Sequence, residues 1–121
     1  MKSVLIADPH SAFRQSLAVV LEQQASLETV LEAASLVEAR HVLPSVDGKA
    51  DLAIVSLDLA DGDAAPLIED LRAAGITVLA LAFKTHAERH TRALHAGASE
   101  VLSMAASCEN LVEVATRLAD R

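Results

Sequence analysis

Three short runs in this chain, Val4-Leu5-Ile6-Ala7, Leu52-Ala53-Ile54-Val55 and Val78-Leu79-Ala80-Leu81-Ala82, are apolar at every position. A strand with one wet face alternates apolar and polar residues, whereas a strand covered on both faces has no place for a polar side chain. Runs this short and this aliphatic therefore read as parallel strands buried in the middle of a sheet. Parallel neighbours need crossovers, so the chain must return over one face of the sheet after each strand.

The segments between the runs have the period that such crossovers require. Phe13, Leu17, Val20 and Leu21 stand at i, i+4, i+7 and i+8, a single apolar stripe on a helix of about four turns. Leu27–Ala33 is a shorter, more polar run carrying Glu28 and Glu32, as expected of an edge strand that charge protects from further pairing. Ser35 and Glu38 are spaced as a capping box ahead of the stripe Leu36, Ala39 and Leu43, with Pro44 near its end and Asp47-Gly48 as a turn. Asp63 is placed to cap a third helix that tolerates Pro66 in its first turn and ends at Gly75. Thr85 with Glu88 forms another capping box, and Gly97 stops that fourth helix. Val101-Leu102 is a last short strand, and Ser107 caps a helix carrying Leu111, Ala115 and Leu118.

Five strand–helix units in 121 residues make one domain, residues 1–121, with an α/β, doubly wound parallel five-stranded sheet and helices on both faces. Hydrophobic residues are 52% of the chain and aromatic ones 2%, with no Trp or Tyr, so the core is built from Ala, Val, Leu and Ile. With only Phe13 and Phe83 as rings and a formal charge of −7, the chain suits neither base stacking nor phosphate backbones, and direct nucleic-acid binding is not expected. A single cysteine, Cys108, forms no internal disulfide, and no apolar run is long enough to span a bilayer, which predicts a cytoplasmic protein without membrane contact. In doubly wound sheets ligands sit beyond the carboxyl ends of the strands. Function is therefore to be sought at Asp8, Ser56, Ala82 and Met104.

At these positions the chain resembles a family. Val4-Leu5-Ile6-Ala7-Asp8-Pro9-His10 with Phe13-Arg14-Gln15-Ser16-Leu17 resembles the start of response-regulator receiver domains, the CheY-like fold, especially those of LuxR-type regulators. Ser56-Leu57-Asp58-Leu59-Ala60-Asp61-Gly62-Asp63 resembles the family's phosphorylation strand and loop, and Ala96-Gly97-Ala98-Ser99 the stretch before its last strand. The resemblance covers essentially the whole chain and implies a flavodoxin-like strand order of 2-1-3-4-5.

Its chemistry does not carry over. Receivers end their first strand with two acidic residues that hold Mg²⁺; here they fall on Asp8 and Pro9. The phosphoacceptor aspartate falls on Ser56, whose hydroxyl forms no acyl phosphate. The family's Ser or Thr after the fourth strand falls on Ala82, its Lys on Met104 and its switch aromatic on Val101. Asp8 and the main-chain carbonyl of Asp58 are all that is left of the metal site, so Mg²⁺ binding is expected to be weak or absent, with no cofactor.

The resemblance implies a non-enzymatic regulatory domain, a pseudo-receiver of a two-component phosphorelay that acts in transcription regulation through protein–protein contact. In the family the face formed by the fourth helix, fifth strand and fifth helix makes dimer and partner contacts, and here it includes Arg89, Arg92, Glu113 and Arg117. A DNA-binding domain C-terminal to this chain would carry any DNA recognition. Two alternatives remain: a small-molecule sensor with a pocket lined by Ser56, Ala82, Phe83 and Met104, or residual phosphorylation at Asp58 or on Ser56.

Other motifs have plainer readings. His86 and His90 stand at i and i+4 with His95 beyond, but no acidic or Cys ligand completes a metal site, and they read as a solvated face. Asp8-Pro9-His10 also resembles the opening of the Asp-x-His-x-x-Gly signature of cobalamin-binding domains, yet Phe13 occupies the glycine position. Ser56 lacks the flanking glycines of a hydrolase nucleophile elbow.

Overall fold

The computed structural model describes residues 2–23, 27–42, 50–59, 61–83, 87–103 and 108–119. Strands and helices alternate throughout: β1 (Lys2–Ala7), α1 (Ser11–Glu22), β2 (Leu27–Ala33), α2 (Leu36–Val42), β3 (Leu52–Ser56), α3 (Ala65–Ala73), β4 (Thr77–Ala82), α4 (Ala87–Ala96), β5 (Glu100–Ser103) and α5 (Cys108–Ala119). All four strand pairings are parallel, and the strands lie in the order β2-β1-β3-β4-β5. The three fully apolar runs are the three inner strands, buried on both faces as their lack of alternation requires.

The sheet separates two aliphatic cores. On one face Val4, Ile6, Leu52, Ile54, Leu79 and Leu81 meet Leu17 and Leu21 of α1 and Leu111, Ala115 and Leu118 of α5. On the other, the sheet contributes Leu5, Val55 and Val78 with the small residues Ala7, Ala33, Ala53, Ala80 and Ala82, and Leu67, Ile68 and Leu71 of α3 pack over them. The α1 stripe differs from its sequence reading in one position. Ala18 is buried while Val20 is 39% exposed, because the helix turns its i, i+1, i+4 edge, Leu17, Ala18 and Leu21, to the sheet.

Ser35 Oγ accepts from Glu38 N at 3.1 Å, half of the expected capping box. Asp63, the expected cap of α3, stands one residue ahead of the observed one: the N-cap is Ala64, without a side-chain cap bond, while Asp63 Oδ1 accepts from Ala65 N at 3.1 Å and Pro66 sits in the first turn. Gly97, at φ +118°, leaves α4 in a conformation that side chains disfavour, and Arg72 of α3 packs directly over it. Leu43, Pro44, Asp47, Gly48, Thr85, His86, Met104 and Ser107, and the side chain of Cys108, lie outside the described residues.

Candidate functional site

Ala7 pairs with Val55 and Ser56 with Leu81, so the carboxyl ends of β1, β3 and β4 come out side by side. Asp8, Ser56 and the chain after Ala82 leave the sheet along this edge.

Asp8 and Ser56 are the buried polar side chains of this edge, both 0% exposed. Asp8 Oδ1 accepts from His10 N at 2.7 Å and stands 3.1 Å from His10 Nδ1. Asp8 Oδ2 has no partner among the described residues. Burial pushes the Asp8 carboxyl above the usual carboxylate range, against the opposing pull of the His10 bonds and the Arg14 charge. Arg14 of α1 donates to the Asp8 carbonyl at 2.7 Å and, through Nε, to Glu32 Oε1 at 3.1 Å, tying the edge strand β2 to the end of β1.

Ser56 Oγ is turned inward and accepts from Asp58 N at 3.1 Å. Asp58, 11% exposed in its side chain, closes the site from the other side. Its Oδ2 accepts from Phe83 N at 2.9 Å, and Arg89 Nη1 stands 3.6 Å from its Oδ1 while donating to the Leu57 carbonyl at 3.2 Å. One turn along α4, Arg92 pairs with Asp63. The two arginines thus fasten α4 onto the loop between β3 and α3. That loop also reaches the other way: Asp61 accepts from Leu36 N at 3.0 Å and Val37 N at 3.2 Å and so caps α2. These bonds hold the Asp61 carboxyl below the usual range.

The chain's two phenylalanines meet at the lip. Phe13 of α1 stands edge-on to Phe83, centroids 5.3 Å apart at 90°, and the His10 ring lies 4.9 Å from Phe83 at 54°.

The structure brings Asp8, Pro9, Ser56, Asp58 and Ala82 together at this edge. Val101 packs, half-buried, against the core under α3 and α4. Of the four residues expected on a partner face, Glu113 is exposed, Arg117 pairs with Glu100 across α5 and β5, and Arg89 and Arg92 fold back onto the β3–α3 loop. His90 is half-buried with its Nε2 unpartnered among the described residues, while His95 is exposed. The residues that sequence reasoning left out of the site are His10 and Arg14, and Arg89, expected on the partner face, is the third whose place here it did not foresee. His10 had a signal in its place two residues beyond Asp8; the pairings of Arg14 and Arg89 cross the fold and left none.

The donor set fits Mg²⁺ poorly. That ion keeps several waters but is normally held by one or two free carboxylates. Here Asp8 offers a single unpartnered oxygen, to which the resemblance adds the Asp58 carbonyl, while Asp58 spends its carboxylate on Phe83 N and Arg89, and Pro9 brings no side-chain donor. Among the described residues no three His, Cys, Asp or Glu side chains gather as metal ligands. None of the described helices is long and apolar enough to cross a membrane.

The sequence matches the family model of the response regulator receiver domain over residues 4–116. A search of curated proteins gave no match. Among solved structures, the fold is similar to a CheY-like response regulator receiver domain protein from Methanospirillum hungatei JF-1, with TM-score 0.87, 22% identity, and 99% of this chain and 94% of that one covered. It is similar also to a LuxR-family DNA-binding response regulator from Staphylococcus aureus, with TM-score 0.86, 14% identity and coverage of 98% and 99%. The receiver domain of the putative response regulator NarL from Mycobacterium tuberculosis gives TM-score 0.83 at 21% identity, with coverage of 98% and 96%.

Proposed function

Because the chain belongs to the response regulator receiver domain family, we propose that it is an atypical receiver whose state is set without an aspartyl phosphate and which acts by protein–protein contact. The single observation that carries this reading is Ser56. At the end of β3, where the family resemblance puts the phosphoacceptor, stands a fully buried hydroxyl already engaged by Asp58 N.

The rest of the edge supports it. Phosphoryl transfer to a carboxylate needs an in-line nucleophile, a bridging metal and a cation for the developing charge. Ser56 removes the first and the donor set around Asp8 disfavours the second. Met104 stands where the family's lysine would supply the third. Asp58 is a poor replacement acceptor, since its oxygens face Phe83 N and Arg89 rather than an incoming phosphorus. In the cytoplasm such a domain works as a docking or dimerisation module, through the face of α4, β5 and α5 that presents Glu113 and Arg117, and passes its state to a DNA-binding domain joined to its C-terminal side.

Amide NMR spectra with and without Mg²⁺ and beryllium fluoride, a mimic of the acyl phosphate, test the reading. No saturable shifts are expected at Asp8, Ser56 or Asp58. Saturable shifts there would return the domain to the phosphorylated receivers.

A further inference from the structure

We propose that His10 is a phosphoryl-acceptor site, modified on Nε2 by small acyl phosphates. The inference rests on the reading above, that the carboxylate acceptor is lost, and concerns what stands in its place.

The first argument is access. Asp8 and Ser56 are wholly buried and Asp58 nearly so, with its oxygens engaged. His10 shares their edge of the sheet and its side chain is 54% exposed. Set beside Asp8, Ser56 and Asp58, the residues at and around the family's acceptor and metal positions, His10 is the one whose side chain is open to solvent.

The second is orientation. Asp8 Oδ1 stands 3.1 Å from His10 Nδ1, and the tautomer that donates from Nδ1 to this carboxylate carries its lone pair on Nε2, on the opposite edge of the ring. The backbone N of His10 donates to the same oxygen at 2.7 Å and fixes the residue, and the ring rests against Phe83. A carboxylate that orients an imidazole and steadies its positive charge is a recurring device of nucleophilic and base catalysis.

The third is charge. Nε2 attacks phosphorus, the P–O bond to the carboxylate leaving group breaks, and that carboxylate departs with the electron pair. No proton has to move. The phosphorylated ring keeps hydrogen on Nδ1 and gains a positive charge, which lies beside a buried carboxylate whose Oδ2 has no partner among the described residues. Only the carboxylate is dry: the ring is 54% exposed, so water screens part of the attraction, and the pair serves chiefly to hold the charged ring in place. His10 is itself the N-cap of α1, a 12-residue helix with no side-chain cap hydrogen bond, so the residue stands at the positive end of that helix's dipole.

The test is incubation of the whole chain with acetyl phosphate, followed by intact mass, peptide mapping and adduct chemistry. One phosphoryl group per chain is expected at His10, labile in acid and stable in alkali as a P–N bond is. It is expected to be absent from His10→Asn and from His10→Gln, each checked for native circular dichroism, and unchanged in His41→Asn, which removes an exposed histidine on α2. Asp8→Asn is expected to keep the site but slow labelling by about tenfold, the scale of losing an orienting partner. No adduct, an adduct that survives both His10 substitutions, or equal labelling of His41 would overturn the proposal. An adduct on Asp58, labile to alkali and hydroxylamine, would overturn both this proposal and the reading it rests on. One on Ser56, stable to acid, would overturn this proposal alone.

Discussion

Asp58 joins the loop after β3 to the chain after β4 and to α4 by two contacts of different kinds, and substitution separates them. Asp58→Ala leaves Phe83 N, a half-buried donor, without its acceptor. A hydrogen bond to a charged group contributes ~1.5–3 kcal/mol, and orphaning the donor puts the loss near the upper end. The Arg89 contact is weaker: the guanidinium is half-exposed and 3.6 Å away, and such pairs contribute ~0–1 kcal/mol. Arg89→Ala also removes the 3.2 Å bond to the Leu57 carbonyl, worth ~1 kcal/mol. Asp58→Ala is therefore expected to cost ~2–3 kcal/mol, Arg89→Ala ~1–2 kcal/mol, and Asp58→Asn, whose amide oxygen still accepts, ~1 kcal/mol. At this chain length 1 kcal/mol is roughly 4 °C in Tm, so the melts should fall by about 8–12, 4–8 and 4 °C. Far-UV circular dichroism, in thermal and urea unfolding, reads all three. If Asp58→Asn costs as much as Asp58→Ala, the charge and not the bond to Phe83 N holds the loops, and the reasoning fails.

Gly97→Ala is expected to lose ~1–3 kcal/mol from the positive φ, plus the contact of the new Cβ 2.5 Å from Arg72 Cγ; Arg72→Ala in the same chain should recover only the second part, read by urea midpoints. Asp61→Asn is expected to lower the melting temperature at neutral pH. Because the folded carboxyl is held below its unfolded value of 3.8, its contribution is present above that pH and lost as pH falls through the folded value. The gap between wild type and variant should therefore close in acid, and a gap that widens there would refute the cap.

What was legible in the sequence was what neighbours along the chain decide. Val4–Ala7, Leu52–Val55 and Val78–Ala82 declared buried strands because no position alternates, and Ser35, Asp63 and Gly97 declared helix ends through bonds spanning two or three residues or a φ of their own. The order of the strands came from resemblance to a family, since apolar runs carry no record of which run lies beside which. Val20 was misplaced because Ala18, two residues before, fits a close helix–sheet contact equally well. The site's wiring was hidden for the same reason. Arg89 reads as a surface cation on a polar helix until the fold puts Asp58 next to it, and Asp61 reads as a loop carboxylate until α2 ends against it. Asp8 was sought beyond the carboxyl end of the first strand, where it stands, while His10 was weighed only through an Asp-x-His resemblance too short to select one chemistry.

The crossing of Phe13 and Phe83 has a use beyond packing. The chain has no tryptophan or tyrosine and no other phenylalanine, so its whole near-ultraviolet dichroism comes from those two rings at the lip of the site. Phe83 also carries the amide that Asp58 grips and the face on which His10 rests. Whatever binds, modifies or loosens this edge of the sheet should change the phenylalanine fine structure without a label, against a background to which the rest of the protein contributes nothing.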